Sequence, residues 1–424
     1  MVAHDAPAGH MPFRLPPAEP GTRRAGPKQI VALLAGLMAL NAFAIDAMIP
    51  ALPDIGEDLG VFTENHRQLV VVAYFLGFGV GQIFWGPIAD RFGRKPILAI
   101  GIALYTAFGL LCGIAESFPL LIAGRAAMGA SAAVTGVLVI AMVRDLFEGE
   151  EMARVMSLVF MVFMVVPVLA PNIGQAILLF ADWRAIFLVL AGYGAMMWLW
   201  SFLNLPETLH PEYRRKLDMA EIGAAVVMAA RDRLSIGYTL ATTAVFGGLT
   251  GYIASIQQIV FDTFDAANFI GLVFAAIAAP MAAASWGNSR IVGRFGLRRT
   301  GHGGLLGFVA MTTVHALIAG TLAEPLWLFT VLMGLSFVAF AFAMSNLRTL
   351  AMTNMAPIAG TASSFQGVTG TIGGALIGLA IGQAFDGTQL PFLLGCAICG
   401  AIGLLLVTWT ERGRLFARME AATV

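Results

Sequence analysis

Long apolar segments separated by short polar loops make up most of this chain. Six lie in the first half, near residues 30–52, 69–89, 97–115, 118–142, 155–180 and 185–205. Six more lie in the second half, near residues 236–261, 267–286, 303–322, 325–346, 358–384 and 390–410. About 20 apolar residues are enough to cross a bilayer as a helix, whereas a membrane strand needs only about ten residues of alternating polarity. The pattern predicts an all-α integral membrane protein with twelve transmembrane helices.

The polar stretches between and around these segments suggest domain boundaries. Residues 1–27 are rich in Pro, Gly and Ala and lack the apolar core of a signal peptide, which predicts a disordered cytoplasmic tail. The other predicted parts are an N-terminal six-helix bundle, a cytoplasmic central loop, a C-terminal six-helix bundle and a cytoplasmic tail, at residues 28–205, 206–235, 236–412 and 413–424. No room is left for a large soluble domain.

The composition narrows the possible functions. Hydrophobic residues form 58% of the chain and charged residues only 12%, which is about half the charged fraction of a typical soluble protein. The 25 basic and 25 acidic residues cancel, so the net charge gives no sign of a nucleic-acid partner. The three cysteines, Cys112, Cys396 and Cys399, lie in apolar segments, where neither a disulfide framework nor a metal site is expected.

The distribution of Lys and Arg between alternate loops predicts the orientation. Twenty-two of the 25, Arg348 among them, fall on one side; Arg67 and Arg184 fall on the other, and Arg125 lies inside a span. Positively charged loops remain in the cytoplasm, so both termini and the central loop are predicted to be cytoplasmic. Several acidic residues, including Glu324, fall on the opposite, outer side.

A weak internal repeat relates the two halves. Residues 86–96, at the end of the second span, read GPIADRFGRKP, and residues 288–299, at the end of the eighth, read NSRIVGRFGLRR. The shared Arg-Phe-Gly occupies the same place in each set of six spans. Two parallel repeats are typical of a large class of membrane transporters, so the sequence predicts two pseudo-symmetric six-helix bundles.

Four short motifs carry a resemblance to a known family. The second span is followed by Gly86-x-x-x-Asp90-Arg91-x-Gly93-Arg94-Lys95, and the fourth contains Leu121-x-x-x-Arg125-x-x-Met128-Gly129. The first contains Ile45-Asp46 followed by Ala51-Leu52-Pro53, and the fifth contains Ala170-Pro171-x-x-Gly174-Gln175. Together they resemble the signatures of the major facilitator superfamily, and within it the twelve-span drug/proton antiporters of the Bcr/CflA type. The motifs depart from the family pattern at Met128, Ala170 and Gln175.

The resemblance implies that the loop motif is a conformational latch. Gly86 and Gly93 permit tight turns, and the family pattern places Asp90 at the N-terminus of the eleventh span, near Gly360 and Thr361. It also pairs Arg94 with a carboxylate at the end of the fourth span. The predicted latch residues are Gly86, Asp90, Arg91, Gly93, Arg94, Lys95 and Asp145. The alternative is that these charges only anchor the cytoplasmic loops; Gly293 replaces Asp90 in the second repeat, so a latch would be one-sided.

Asp46 and Arg125 are the candidates for proton coupling. A carboxyl group removed from water favours its protonated form, so Asp46 could carry a proton, unless it is hydrated at the outer mouth. Arg125 costs at least about 2.5–3.5 kcal/mol at the membrane centre, which predicts a water-filled cavity or a partner around it, unless it snorkels to the interface. The family associates this arginine with proton coupling and substrate contact. His315 is a further titratable group, expected to pack in the interior.

Small residues and prolines predict the moving helices. Four-residue spacings of glycine let helices approach closely; they occur at Gly77 and Gly81 in the second span and at Gly370, Gly374, Gly378 and Gly382 in the eleventh. In the superfamily fold these spans face each other across the halves, although packing elsewhere in a bundle fits the same spacing. Pro167 and Pro171 are predicted to bend or break the fifth span beside Gly174, as in a gate helix.

Aromatic residues in the spans that line the cavity of this fold are the substrate candidates. The aromatic set is Tyr74, Phe75, Phe246, Tyr252, Phe337 and Phe340, and the hydrogen-bonding set is Gln257, Gln258 and Asn346. An apolar aromatic cavity with few polar groups suits small amphipathic compounds.

The predicted function is export of such compounds in exchange for protons, by a monomer in the bacterial inner membrane that works by alternating access. A proton-coupled uptake permease is an alternative with the same fold. A membrane-embedded enzyme or receptor is a second alternative, but the sequence lacks an HExxH motif, a phosphate-binding loop and a Cys/His cluster. The protein is therefore predicted not to be an enzyme and to use no cofactor or metal.

Overall fold

The computed structural model describes residues 26–210, 212 and 219–416, and all regular secondary structure in this part of the chain is helical. Twelve long helices cover it: α1 (Pro27–Asp46), α2 (Leu69–Phe92), α3 (Arg94–Gly113), α4 (Phe118–Leu146), α5 (Gly149–Leu178), α6 (Trp183–Asn204), α7 (Arg233–Gln258), α8 (Ile270–Phe295), α9 (Leu297–Thr321), α10 (Leu326–Ala351), α11 (Ala359–Gln383) and α12 (Leu390–Thr410). With their flanking turns, eleven are long and apolar enough to cross a membrane. Helix α5 has 30 residues, and its apolar stretch within the described residues is Val165–Leu178. The prediction of an all-α membrane protein is confirmed.

Several helices extend beyond their predicted apolar segments. Helix α4 ends at Leu146 rather than at residue 142, and α8 ends at Phe295 rather than at residue 286. The added turns carry Arg144 and Arg294, so a hydropathy pattern stops before the hydrogen-bonded helix does.

The predicted central loop contains a helix, Met219–Arg231. Ala229 packs against Met355 and Ala362 beside the start of α11. Helix α7 then begins at Arg233, because the Asp232 side chain accepts a hydrogen bond from the backbone N–H of Ser235 at 2.8 Å. The predicted tails at residues 1–25 and 417–424, and residues 211 and 213–218, lie outside the described part.

Each half has its own apolar core, and a few side chains cross between them. Ile49, in the 3₁₀ turn after α1, packs into the core of the second half. In the other direction, Ala375 of α11 belongs to a core of the first half, and Phe246 and Ile253 of α7 pack against that core. The boundary between the halves therefore includes α1, α7 and α11.

Candidate functional site

Polar side chains join the two halves at the face formed by residues 59–68, 259–269 and 384–389. The charge asymmetry predicts this face to be outer, and we call it the outer face. Asn65 Nδ2 donates to the carbonyl oxygens of Gln383 at 3.1 Å and Phe385 at 3.0 Å. Gln383 Nε2 donates in return to the Asn65 carbonyl oxygen at 2.7 Å.

Gln68 and Gln258 extend this group. Gln68 Nε2 donates to the Gly382 carbonyl oxygen at 3.0 Å and to Gln258 Oε1. Gln258 Nε2 donates to Asn65 Oδ1 at 2.9 Å. We call Asn65, Gln68, Gln258 and residues 382–385 the outer clasp. Gln258, predicted to bond substrate, instead bonds the opposite half, so its predicted contact with substrate is not available in this state.

A second group, which we call the α5–α8 clasp, joins those helices at the same face. Asn172 Nδ2 donates to the Gly271 carbonyl oxygen at 3.2 Å, and Gln175 Nε2 donates to the Ala267 carbonyl oxygen at 3.1 Å. A β-carbon at Gly271 would overlap Asn172 Oδ1, so glycine permits the close approach. Between described residues, every side-chain hydrogen bond across the halves belongs to one of these two clasps. The structure is therefore a state closed at the outer face.

Asp46 lies at the boundary between the halves. It is the last residue of α1 and only 3% of it is exposed, so it is enclosed in this state and not hydrated at the outer mouth. Its Oδ1 atom has no hydrogen-bond partner within the described residues. Tyr252 of α7 is near enough to interact electrostatically with Asp46, and the Tyr252 hydroxyl also has no partner there.

Aromatic packing holds Tyr252 in place. Its ring centroid lies 5.2 Å from that of Phe274, 5.1 Å from Phe337 and 6.3 Å from Phe392. Further along α7, the Ser255 hydroxyl is also buried without a partner in the described part. Unpartnered buried polar groups are costly, and α7 carries two of them, the hydroxyl groups of Tyr252 and Ser255.

Arg125 is fully enclosed within the first half. Its Nε donates to the Val70 carbonyl oxygen at 3.0 Å, and its guanidinium carbon lies 4.5 Å from the Tyr74 ring centroid and 5.7 Å from that of Phe187. No ion pair joins it to a carboxylate of the described residues. The snorkelling alternative is wrong, because Arg125 is 0% exposed.

Tyr74 belongs to the interior of the first half. Its hydroxyl donates to Asn41 Oδ1 at 3.1 Å, and Asn41 Nδ2 donates to Thr135 Oγ1 at 2.7 Å. This network links α1, α2 and α4 beside Arg125, and Tyr74 is 0% exposed. Its predicted contact with substrate is therefore not available in this state.

The predicted latch residues meet at the start of α3. Arg94 Nη1 lies 2.6 Å from Asp90 Oδ1, and Arg94 Nε donates to Asp145 Oδ2 at 3.3 Å. Asp145 Oδ2 also accepts from Thr208 Oγ1 at 3.0 Å. Glu207, which the sequence did not single out for this role, accepts from the backbone N–H groups of Arg94 at 2.9 Å and Lys95 at 3.3 Å.

The expected contact between Asp90 and the start of α11 is not present in this state. Asp90 bonds Arg94 instead, and a β-carbon at Gly360 would meet no atom within 4 Å. Gly93 has φ of +104°, which favours glycine. Gly86 does not need to be glycine, because a β-carbon there would make an ordinary 3.6 Å contact with Val137. Arg91 lies over the ring of Phe92.

Four of the predicted ladder glycines, Gly77, Gly81, Gly374 and Gly378, pack within their own halves and not at the interface between them, whereas Gly382 meets Gln68 of the opposite half. β-Carbons at Gly77 and Gly81 would overlap the carbonyl oxygens of Ala126 and Ala130 on α4. On α11, Gly374 and Gly378 lie against Phe246 and Thr250 of α7, and Thr250 Oγ1 donates to the Gly374 carbonyl oxygen at 2.5 Å. Gly79 lies on nearly the opposite side of α2 from Gly77 and Gly81. A β-carbon there would overlap the side chain of Ile372 on α11.

The prolines of α5 do not break it. The helix runs without interruption from Gly149 to Leu178 with Pro167 and Pro171 inside, so the predicted break is absent, and a bend remains a prediction. A β-carbon at Gly174 would overlap the Ala47 carbonyl oxygen, just after Asp46. Helix α5 therefore contacts the backbone next to the candidate proton carrier.

The remaining substrate candidates do not form one group. Phe337 and Phe340 lie in the core of the second half, with ring centroids 5.6 Å apart, and Phe75 is buried in that of the first. Gln257 is 1% exposed, and both of its amide atoms lack partners in the described part. Asn346 Nδ2 donates to Asn288 Oδ1 at 2.8 Å and to a backbone carbonyl of its own helix.

His315 forms a buried polar cluster that the sequence did not predict. His315 Nε2 lies 2.8 Å from Glu324 Oε1, and Gln389 Nε2 donates to Glu324 Oε2 at 3.1 Å. Both side chains of the His–Glu pair are 0% exposed. Glu324, expected at the outer surface, thus joins the α9–α10 loop to the start of α12.

With this geometry established, comparison with known proteins identifies the family. The family model described as Major Facilitator Superfamily matches residues 34–378. The chain belongs to the Major Facilitator Superfamily. It is therefore a multi-pass membrane transport protein for small molecules and not an enzyme.

Two individual relatives are similar over most of their length, and a third over less than half of it. The bicyclomycin resistance protein homolog of Haemophilus influenzae is 29% identical over 87% of this chain and 92% of its own. A multidrug resistance protein MdtL of Klebsiella pneumoniae is 27% identical over 88% and 94%. Multidrug resistance protein D of Escherichia coli is 36% identical, over 42% of this chain and 45% of its own. The human organic anion transporter MFSD10 (TETRAN) has a TM-score of 0.67 at 18% identity, covering 91% of this chain and all of that one, which supports the fold alone.

Proposed function

We propose that this transporter exports small amphipathic compounds across the bacterial inner membrane in exchange for protons. It works as a monomer whose central region opens alternately to either face, with both termini in the cytoplasm. Relatives named for bicyclomycin and multidrug resistance, similar along most of the chain, support drug export. The exchange of protons rests on Asp46.

The observation that carries the proposal is the unpartnered Asp46 carboxyl oxygen at the boundary of the halves. An ionisable group inside the membrane is costly and favours a functional role. Asp46 has Tyr252 as its neighbour from the opposite half, so movement of the halves changes its surroundings. Such a carboxyl group can take up a proton when open to the outer side and release it when a substrate competes from the cytoplasm.

The clasps supply the gate at the outer face. In the state described, the outer clasp and the α5–α8 clasp are closed and Asp46 is enclosed. Opening that face requires these bonds to break, and closing the opposite face brings Asp90 towards the start of α11, as the family resemblance implies. Proton entry is favoured by the membrane potential, at about 2.3 kcal/mol per charge per 100 mV.

Energised inverted vesicles test the direction and the coupling. With an imposed pH gradient, quenching of a pH-sensitive dye should reverse when a transported compound is added, because export into the vesicle releases protons from it. Proton entry stimulated by a compound supplied from the periplasmic side would instead indicate uptake. Reporter fusions after Phe202 and after Arg412 should both report the cytoplasm; a periplasmic signal at either position would contradict the orientation.

A further inference from the structure

Arg348 is a membrane-helix cation that the proposed proton exchange does not use. The charge count assigned it to a cytoplasmic loop, but it lies in α10, which continues to Ala351. Its side chain is exposed, and no carboxylate of the described residues lies within 4 Å of its guanidinium. Its five N–H donors are therefore available to a ligand.

The Arg348 guanidinium is directed at the boundary between the halves. Its central carbon lies 5.8 Å from the ring centroid of Phe246 on α7. Phe246 is half-buried, packs against cores of both halves and touches Gly374 of α11. The exposed surface of Arg348 therefore belongs to the space between the halves, next to an aromatic ring.

One face of α11 borders open space near this ring. Gln366, Gly370 and Gly374 lie four residues apart and so share that face. A β-carbon at Gly374 would overlap the ring of Phe246, whereas a β-carbon at Gly370 would meet no atom within 4 Å. Gln366 Nε2, one turn further, is a buried donor without a partner in the described residues.

Arg125, the other candidate for proton coupling, is a membrane-helix cation in a different environment. Its guanidinium is enclosed, bonded to the Val70 carbonyl oxygen and stacked on two rings. Arg348 has one ring contact and an open side, and the side-chain hydrogen bonds that join the described residues of the two halves all lie at the outer face. Arg348 is thus placed to meet a compound entering from the opposite face.

We propose that Arg348 and Phe246 form a subsite for an anionic group, a carboxylate or a comparable planar anion, attached to an aromatic body. Guanidinium binds carboxylate through two parallel hydrogen bonds, and an apolar surrounding strengthens them. This inference rests on the proposed function and narrows its substrates to amphipathic anions and zwitterions.

Binding of three matched probes to the full chain in detergent tests the proposal without any gradient. Pyrenebutyrate, pyrenebutyramide and pyrenebutylamine share one aromatic body and differ in charge. Wild-type protein should bind the carboxylate about ten- to a hundredfold more tightly than the amide, as expected for charge-assisted hydrogen bonds. Arg348→Gln should remove this difference and leave amide binding unchanged, while Arg348→Lys should keep part of it.

Arg290→Gln is the matched control. Arg290 lies 4.2 Å from the Trp286 ring on the same helix, α8, so its replacement also removes an exposed cation from an aromatic neighbour. It should leave the preference for pyrenebutyrate intact. The proposal is overturned if Arg348→Gln keeps the wild-type preference, if it weakens all three probes equally, or if wild-type protein does not prefer the carboxylate.

The outcomes also separate this inference from the proposed function. If the carboxylate preference depends on Arg348 but vesicles show no proton exchange, the subsite stands and the exchange fails. If vesicles exchange protons for pyrenebutylamine while Arg348→Gln has no effect on any probe, the exchange stands and the subsite fails.

Discussion

Asn65 and Gln383 exchange two hydrogen bonds across the outer face, each donating a side-chain N–H to the backbone carbonyl of the other. These residues lie in different halves, 318 positions apart in sequence. The two bonds hold the side chain and the backbone of both residues in place. Closure of the outer face therefore depends on the backbone conformation around Asn65 and around Gln383.

Asn65→Ala should open the outer face. The change removes three hydrogen bonds of the Asn65 side chain, each worth about 0.5–1.5 kcal/mol, so the outward-open population should rise about tenfold or more. A cysteine at Ser255, which is buried in the closed state, should then react faster with a membrane-impermeant thiol reagent. The native cysteines are buried and should contribute little background.

Asn204→Ala is the control for this measurement, since Asn204 Nδ2 bonds only the Trp200 carbonyl oxygen of its own helix. It should not change the labelling rate. Equal rates in Asn65→Ala and the parent protein would show that the outer clasp does not control this face.

Gly174→Ala should impair the gate. The added β-carbon overlaps the Ala47 carbonyl oxygen, and overpacking of this kind costs about 1–3 kcal/mol. We expect a lower thermal midpoint and slower transport. Gly192→Ala, where a β-carbon meets nothing within 4 Å, should behave as wild type; similar effects of both changes would argue against a specific contact between α5 and the turn after α1.

Asp90→Asn should reduce transport without unfolding the protein. Asp90 is 41% exposed and its pair with Arg94 is a partly solvated one, so the stability change should stay within about 1 kcal/mol. Transport should fall because the charge is needed when the cytoplasmic face closes. Gly293→Ala, at the equivalent place in the second repeat, should be milder; no loss in Asp90→Asn at normal expression would reduce the motif to a topological anchor.

Glu324→Ala should strongly destabilise the second half. It leaves His315 Nε2 and Gln389 Nε2 without their partner in a buried site, a loss of about 3–5 kcal/mol if the pair is ionic. Thermal unfolding should show a clear drop in midpoint. Glu116→Ala, at an exposed loop position, should change the midpoint little, and a comparable small change in Glu324→Ala would show that the cluster adds no stability.

Hydropathy was sufficient to predict the spans because the bilayer requires a long apolar helix at each crossing. It could not predict which face of a helix meets which neighbour. Gly77 and Gly79 are two residues apart and point to nearly opposite sides of α2, and only tertiary packing decides that Gly79 faces α11.

The sequence also could not predict how polar groups at the ends of the spans pair with each other. Asn65, Gln68 and Gln175 have no periodic pattern and no charge, and their partners are mostly backbone carbonyls that sequence does not mark. The loop position of Glu324 predicts an exposed side chain, whereas in the structure Glu324 is buried and paired with His315. The pairing of Arg94 with Asp145 could be predicted from the family resemblance, because the family pattern pairs this arginine with a carboxylate at the end of the fourth span.

The most direct test of proton exchange is drug-induced proton release in proteoliposomes that contain Asp46→Asn. This change keeps the size of the side chain and removes the titratable group, and Asp54→Asn, at an exposed position of the next short helix, is its control. We expect Asp46→Asn to fold and still bind neutral compounds but to lose both uphill export and proton release, while Asp54→Asn keeps both. Full gradient-driven export with normal proton release in Asp46→Asn would contradict the assignment of Asp46 as the proton carrier.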